Sequence, residues 1–216
     1  MPDTFMNNFI IQRRSKIIVR EMPLVFGISG VARCGKDTFA KYLAQKLDRM
    51  SLPNVTCSFA QNLKLSVDAL TKEMFNISAF TEKDEEKKLL RPLLVALGTD
   101  VARKYDKDFW IKKLEKKVQS CIDNKIITII PDVRYENEVK WIKSLGGIVV
   151  HITRMGTKPA NFEERANNPI IKKLADYKIN WKTFTEEKET CTYHVNKLFF
   201  KYGWSLYGEF KSSQSK

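Results

Sequence analysis

Cysteine, histidine and long apolar runs are all scarce in this chain of 216 residues. The four cysteines, Cys34, Cys57, Cys121 and Cys191, stand far apart, and none belongs to a Cys-x-x-Cys pair. That spacing argues against a zinc framework. No secretory signal is read at the start, which fits a reducing, cytoplasmic setting (a host cytoplasm if the chain is viral). The two histidines, His151 and His194, have no partnering cysteine, so neither a histidine metal site nor a Ser-His-Asp triad is expected. The longest apolar run, Ile126 to Ile130, is interrupted by Thr128 and is too short to cross a bilayer, so no membrane partner is expected.

Acid is also in deficit. Lys and Arg number 38 against 25 Asp and Glu, giving a formal charge of +13 that is spread along the whole chain. Lys112, Lys113, Lys116 and Lys117 oppose Ile111, Leu114, Val118 and Ile122, which lie at core spacing. This reads as the solvated face of a helix rather than a nucleic-acid patch. The positive field still favours anionic substrates. A hydrophobic fraction of 43% is enough for a real core, and the length suits one α/β domain with an inserted lid.

What is present is organised around Gly30-Val31-Ala32-Arg33-Cys34-Gly35-Lys36-Asp37-Thr38. The apolar run Leu24 to Ile28 before it reads as a buried strand, and Phe39 to Leu47 after it has helical spacing. A strand, a glycine-bounded loop and a helix opening with Gly-Lys form the phosphate-binding P-loop arrangement. Its glycines let backbone N–H groups point inward, and the helix start adds partial positive charge. Lys36 supplies a point charge for the β- and γ-phosphates. Asp37 follows Lys36 where the usual motif has a hydroxyl, and Thr38 comes one later. Cys34, near Lys36 and a helix start, is either a thiol of lowered pKa or a small unreactive loop residue.

Further along, Val55 to Ala60 reads as a second strand and Leu63 to Met74 as a helix capped by Asn62. Lys64 then sits at a ligand-bearing sheet edge or is an ordinary helix-start lysine. A charged loop, Thr81 to Lys88, feeds a helix from Leu89 to Leu97 with Pro92 near its start and Gly98 closing it. Thr99-Asp100 begins a short helix, Val101 to Lys104, and Asp108 caps the lysine-rich one. Trp110 is either core or a stacking surface. Ile126 to Ile130 is the strongest strand and runs into Pro131-Asp132-Val133-Arg134, where Asp132 and Arg134 project to one side. A helix from Tyr135 to Leu145, carrying Glu138, ends at Gly146-Gly147, and Ile148 to Ile152 is the next strand with His151 at its core or edge. Residues 153–173 are polar and poorly periodic, as a mobile arginine-bearing lid would be. Tyr193 to Asn196 reads as a last strand and Lys197 to Tyr202 as a short helix. Alternating strands and helices predict a three-layer α/β fold: a parallel sheet with helices on both faces and a small lid. The expected layout is an N-terminal extension over 1–22, one domain over 23–210 with its lid near 154–175, and a disordered tail over 211–216. Arg13, Arg14, Lys16 and Arg20 give the extension a transit-peptide flavour, against which stand Asp3 and Glu21.

Four stretches together resemble the bacteriophage-type deoxynucleoside monophosphate kinases, a branch of the P-loop nucleoside monophosphate kinases. They are the loop with its Lys36-Asp37-Thr38, the run Arg91-Pro92-Leu93-Leu94-Val95-Ala96-Leu97-Gly98-Thr99-Asp100, the pair Phe109-Trp110, and Pro131-Asp132-Val133-Arg134 with Glu138 and on to Arg154. The resemblance implies transfer of the ATP γ-phosphoryl group, with Mg2+, to a deoxynucleoside 5′-monophosphate. It places Gly30, Arg33, Cys34, Gly35, Lys36, Asp37 and Thr38 around ATP, with Asp37 and Thr38 at the metal. It places Arg91, Gly98, Thr99 and Trp110 at the acceptor with Glu138 nearby, and Lys64, from its position at the sheet edge, is expected to add counter-charge there. Asp132 and Arg134 then serve both acceptor and transferred phosphate, and Arg154 joins Lys36 in catalysis. Partners are small nucleotides, with a homodimer left open. Other readings are a kinase of another phosphorylated acceptor such as phosphomevalonate, and a basic nucleic-acid-binding module.

Overall fold

The protein is described by a computed structural model over residues 22–181 and 187–204. Most of the proposed N-terminal extension and all of the proposed tail lie outside the described residues. Five strands form one parallel sheet in the order β2-β3-β1-β4-β5. They are β1 (Val25–Ser29), β2 (Asn54–Thr56), β3 (Ile127–Val133), β4 (Ile148–Arg154) and β5 (Tyr177–Trp181). β1 is buried along its whole length, as a central parallel strand covered on both faces must be.

One face packs on α1 (Lys36–Arg49) and on the last helix, α8 (Glu187–Tyr202). Phe39, Leu43 and Leu47 of α1 meet Phe26 and Ile28 there, and Trp204 lies edge-on to Phe26 at 5.7 Å. The other face carries α2 (Phe59–Phe75), α5 (Phe109–Asp123), α6 (Glu136–Ser144) and α7 (Phe162–Leu174). α3 (Asp84–Val95) continues through a π-helical turn (Ala96–Val101) into the short α4 (Ala102–Tyr105). The predicted doubly covered parallel sheet is thus the one observed.

Several boundaries differ from the sequence-based expectation. α2 starts earlier than expected because Ser58, not Asn62, caps it: the Ser58 hydroxyl accepts the Gln61 N–H. Pro92 lies inside α3, where it removes a helical donor, and Gly98 does not end the helix. The chain instead widens into the π turn, and Gly98 sits so close to Leu63 that an added Cβ would lie 2.8 Å from its Cδ2. Residues 153–173 are not a structureless loop. Asn161 caps α7, and the interior Pro169 is what obscures the helical pattern. The expected strand over Tyr193–Asn196 is helical, with Cys191, Val195, Leu198 and Phe199 buried at helical spacing. The fifth strand is β5, whose alternation of buried and exposed residues is ordinary edge-strand patterning.

His151 lies in the core beneath the loop that follows β1, its Nδ1 at 3.0 Å from the Ser29 hydroxyl. Burial, reinforced by Lys172, Lys178 and Lys36, pulls its pKa down to about 4. The unfolded chain takes up this proton near pH 6.5, so the stability held by neutral His151 is complete above that pH and drains away as pH falls toward 4. Across that window wild type should lose up to about 3 kcal/mol more than His151→Gln. Melting curves of the two proteins over the same pH range check this, and parallel pH dependences would contradict it.

Candidate active site

The site forms where the connections of neighbouring strands leave on opposite faces. β1 feeds α1 on one face, whereas β3 feeds α6 on the other. Adjacent strands that part in this way open a crevice at their carboxyl ends, where α/β sheets bind ligands.

The β1 side of the crevice is the glycine-bounded loop. Gly30 has φ +142°, and a Cβ there would lie 2.4 Å from the Ile152 carbonyl oxygen and 2.6 Å from Cys34 Sγ. Gly35, at φ 95°, caps α1 in the left-handed region. Arg33 also has positive φ, 62°, a costly conformation for a non-glycine residue. The loop is tied down by Trp181, whose indole N–H donates to the Cys34 carbonyl at 2.8 Å. Arg154, at the end of β4, donates to the Arg33 carbonyl at 3.4 Å. Lys36 is buried, and its ammonium donates to the Gly30 and Val31 carbonyls at 2.9 and 2.8 Å. Burial lowers its pKa, and the nearby Arg134 charge adds to the effect. Asp37 is exposed and Thr38 half-buried on the first turn of α1.

Cys34 lies inside this loop. Its thiol is buried, and burial raises its pKa despite the Lys36 charge. Both observations favour the small unreactive reading of this residue.

The β3 side opens into a cavity of about 610 Å3. It gathers Lys64, Arg91, Gly98, Thr99 and Trp110 with Asp132, Arg134 and Glu138, residues that come from four separate stretches of sequence. Arg33 reaches its wall from the loop, whereas Lys36, Asp37, Thr38 and Arg154 lie outside the lining. Trp110 is core: its ring is 3% exposed and its Nε1–H donates to the Gly98 carbonyl at 2.9 Å. This bond fixes the π turn, a device that recurs at functional sites.

Asp132 and Arg134 reach the same cavity but are not partners. In its register with β1, β3 carries an extra residue, with Gly27 opposite Ile130 and Ser29 opposite Val133. Asp132 turns onto the start of α2, accepting from the Ser58 hydroxyl at 2.8 Å and the Phe59 and Ala60 N–H groups at 3.2 and 2.8 Å. Its carboxylate therefore anchors a positive helix end. Arg134 pairs instead with Glu164 at 2.6 Å.

Glu138 is fully buried. It accepts from the Arg134 and Tyr135 N–H groups at 2.7 and 3.0 Å and from the Arg103 guanidinium at 2.5 Å. Burial pushes its carboxyl pKa up, with Arg103 opposing. It thus holds the backbone at Arg134 and Tyr135. Arg103 stacks at 3.8 Å on the Tyr135 ring, whose hydroxyl is 3.4 Å from Thr99 Oγ1.

Arg103, Tyr135 and Glu164 were absent from the sequence-based set. The Arg103–Glu138 pair spans 35 positions and leaves no local signature. Glu164 had one, since Asn161 three residues earlier is a helix-start pattern. Among the described residues no cluster of three His, Cys, Asp or Glu could hold a metal. No helix among them is long and apolar enough to cross a membrane.

A family described as deoxynucleotide monophosphate kinase matches residues 49–165. A protein of Acanthamoeba polyphaga mimivirus that carries the same name is 29% identical over 195 residues, covering 76% of this chain and 91% of that one. The deoxynucleotide monophosphate kinase of Enterobacteria phage T4 is 31% identical over 98 residues, 40% of this chain and 39% of its own. Among solved structures, a dephospho-CoA kinase from Campylobacter jejuni overlays with a TM-score of 0.48 at 14% identity, covering 82% of this chain and 98% of that one.

Removing one partner of the buried Arg103–Glu138 pair strands the other charge. Glu138→Ala should therefore cost about 3–5 kcal/mol of stability. Denaturant unfolding measures it, and a loss below about 1 kcal/mol, the range of an exposed pair, would contradict the structural role.

Proposed function

The chain belongs to the deoxynucleotide monophosphate kinase family, and from that membership we propose how its residues divide the reaction. It is a phosphotransferase whose acceptor is the phosphate of a nucleotide. The kinase reading carries ATP as donor, and the readings of a phosphomevalonate-type acceptor and a nucleic-acid module are not favoured. Phosphoryl transfer asks mainly for positioning and for positive charge where two polyanions meet. The observation that supports this assignment is one cavity that runs from acceptor-side arginines to the loop's Arg33.

In this reading, the loop from Gly30 to Thr38 receives the ATP phosphates on its N–H groups and on the α1 start. Lys36 leaves the carbonyls of Gly30 and Val31 to meet them. Asp37 and Thr38 would hold Mg2+, a cation that takes one or two carboxylates beside phosphate oxygens. Asp37 offers an exposed carboxylate and Thr38 a half-buried hydroxyl on the first turn of α1. Bound there, magnesium would neutralise charge on the phosphates. Arg134, fixed from behind by Glu138, holds the acceptor phosphate by charge-assisted bonds. Arg91 and Lys64 add charge around it, Thr99 faces the acceptor, and Gly98 and Trp110 shape the wall. Asp132 keeps α2 in place as one side of that wall. Arg154 completes the cationic set on the donor side. Residues 154–175, which include α7, serve as the lid that keeps water from taking the phosphoryl group. No side-chain base is needed, because the attacking phosphate oxygen is already ionised.

Two substitutions test this division of labour. Arg134→Ala should impair acceptor use by about ten- to a hundredfold in kcat/KM while ATP affinity changes far less. Lys36→Ala should cut turnover by orders of magnitude in a protein that still folds. Steady-state kinetics in both substrates, with calorimetric ATP affinity, provide the readout. An Arg134→Ala protein that keeps its acceptor KM and kcat would remove Arg134 from the proposed site.

A further inference from the structure

Glu164 lies in the first turn of α7, and its carboxylate reaches out of its own helix. Oε2 accepts the Ala32 N–H of the phosphate loop at 3.1 Å and the Ala160 N–H at 2.9 Å. Oε1 accepts the Arg134 guanidinium at 2.6 Å. The side chain is 7% exposed. One carboxylate thus joins the donor loop, the lid and the acceptor arginine.

The chemistry of that cradle is specific. Two backbone N–H groups and a guanidinium converging on one oxyanion make the donor set that phosphoryl oxygens take. Ala32 lies between Gly30 and Lys36, inside the loop whose N–H groups serve phosphate. A single N–H well aligned on a carboxylate is not at the same time well aligned on a phosphate oxygen. Two anions also repel strongly in so buried a space. Glu164 is ionised here: burial works to raise its pKa, but the Ala160 and Ala32 N–H bonds and the Arg134 and Lys36 charges outweigh it and hold it low.

We propose that Glu164 is a positioning residue that occupies the place of a nucleotide phosphate, holding Ala32 and Arg134 until the donor's phosphate displaces it. This rests on the assignment of the loop to ATP made above. Donor binding then costs the breaking of the Glu164 contacts, and in return it frees Arg134 for the phosphates and releases α7 from the loop. The residue links lid, donor loop and acceptor arginine through one exchange of anions. Its effect is on donor affinity and on Arg134, and it takes no part in bond making.

The test is calorimetric binding of a non-hydrolysable ATP analogue with magnesium to the full chain, beside two-substrate kinetics and melting temperatures. Glu164→Gln keeps the shape and removes the charge, and should bind the analogue about tenfold tighter or more. It should also hydrolyse ATP faster without acceptor, because Arg134 is no longer held. Glu164→Asp keeps the charge but falls one methylene short of spanning Ala32 and Arg134, so it too should bind more tightly, and it decides the matter if the Gln protein does not fold. Unchanged or weaker analogue binding in a folded variant would overturn the proposal and leave Glu164 a structural brace. The wild-type arm separates the two claims. Wild type that phosphorylates deoxynucleoside monophosphates while the variants bind no tighter refutes the exchange alone, whereas wild type that binds no ATP analogue refutes the donor-loop assignment and the exchange with it.

Discussion

The turn at Gly30 is the constraint on which the rest of the site depends. The chain leaves β1 and doubles back against the end of β4 at a separation that no side chain allows, 2.4 Å from a hypothetical Cβ to the Ile152 carbonyl. That close approach presses the loop onto the sheet, where the Trp181 indole can reach the Cys34 carbonyl and Arg154 the Arg33 carbonyl. It sets the direction of the Ala32 N–H toward Glu164, and through Glu164 the position of Arg134. A methyl group at Gly30 would move backbone, not a flexible side-chain tip, so the cost would spread to every one of these contacts.

Charge around the site is managed by giving each ion its own counterpart. Lys36 rests on carbonyls, Arg103 on Glu138 and Arg134 on Glu164, while Asp132 faces a helix start. Unpaired, the buried Lys36, Glu138 and Glu164 would cost several kcal/mol each. The pairs differ in what they can give up. Arg103–Glu138 is sealed, with side chains 14% and 1% exposed, whereas Arg134 is 44% exposed beside a buried Glu164. The sealed pair lies behind Arg134, and the open one is reachable from the cavity.

Much of this was legible in the amino-acid order. The loop, its flanking strand and helix, and the parallel doubly covered sheet followed from apolar spacing and from glycines at fixed offsets. Arg91, Thr99 and Trp110, which line one cavity, were brought together through resemblance rather than from spacing, because they meet only in three dimensions. What was lost has definite causes. Pro169 broke the periodicity of α7 and hid the helix, whereas the alternation of β5 is plain but only five residues long. The Tyr193–Asn196 stretch alternates locally, and only the longer spacing from Cys191 to Phe199 reveals a helix. Asp132 and Arg134 do share the cavity, as residues two apart in an extended segment should. Their actual partners, Ser58 and Glu164, lie 74 and 30 positions away and leave no pairing signal in sequence.

In the proposed reaction one cavity delivers a nucleotide phosphate to the loop assigned to ATP. Phosphorus NMR of the full chain with ATP, magnesium and each deoxy- and ribonucleoside monophosphate in turn tests it most directly. The account predicts that at least one deoxynucleoside monophosphate is converted to its diphosphate with an equal amount of ADP. ATP consumed only to ADP and inorganic phosphate, or no monophosphate converted at all, would contradict it.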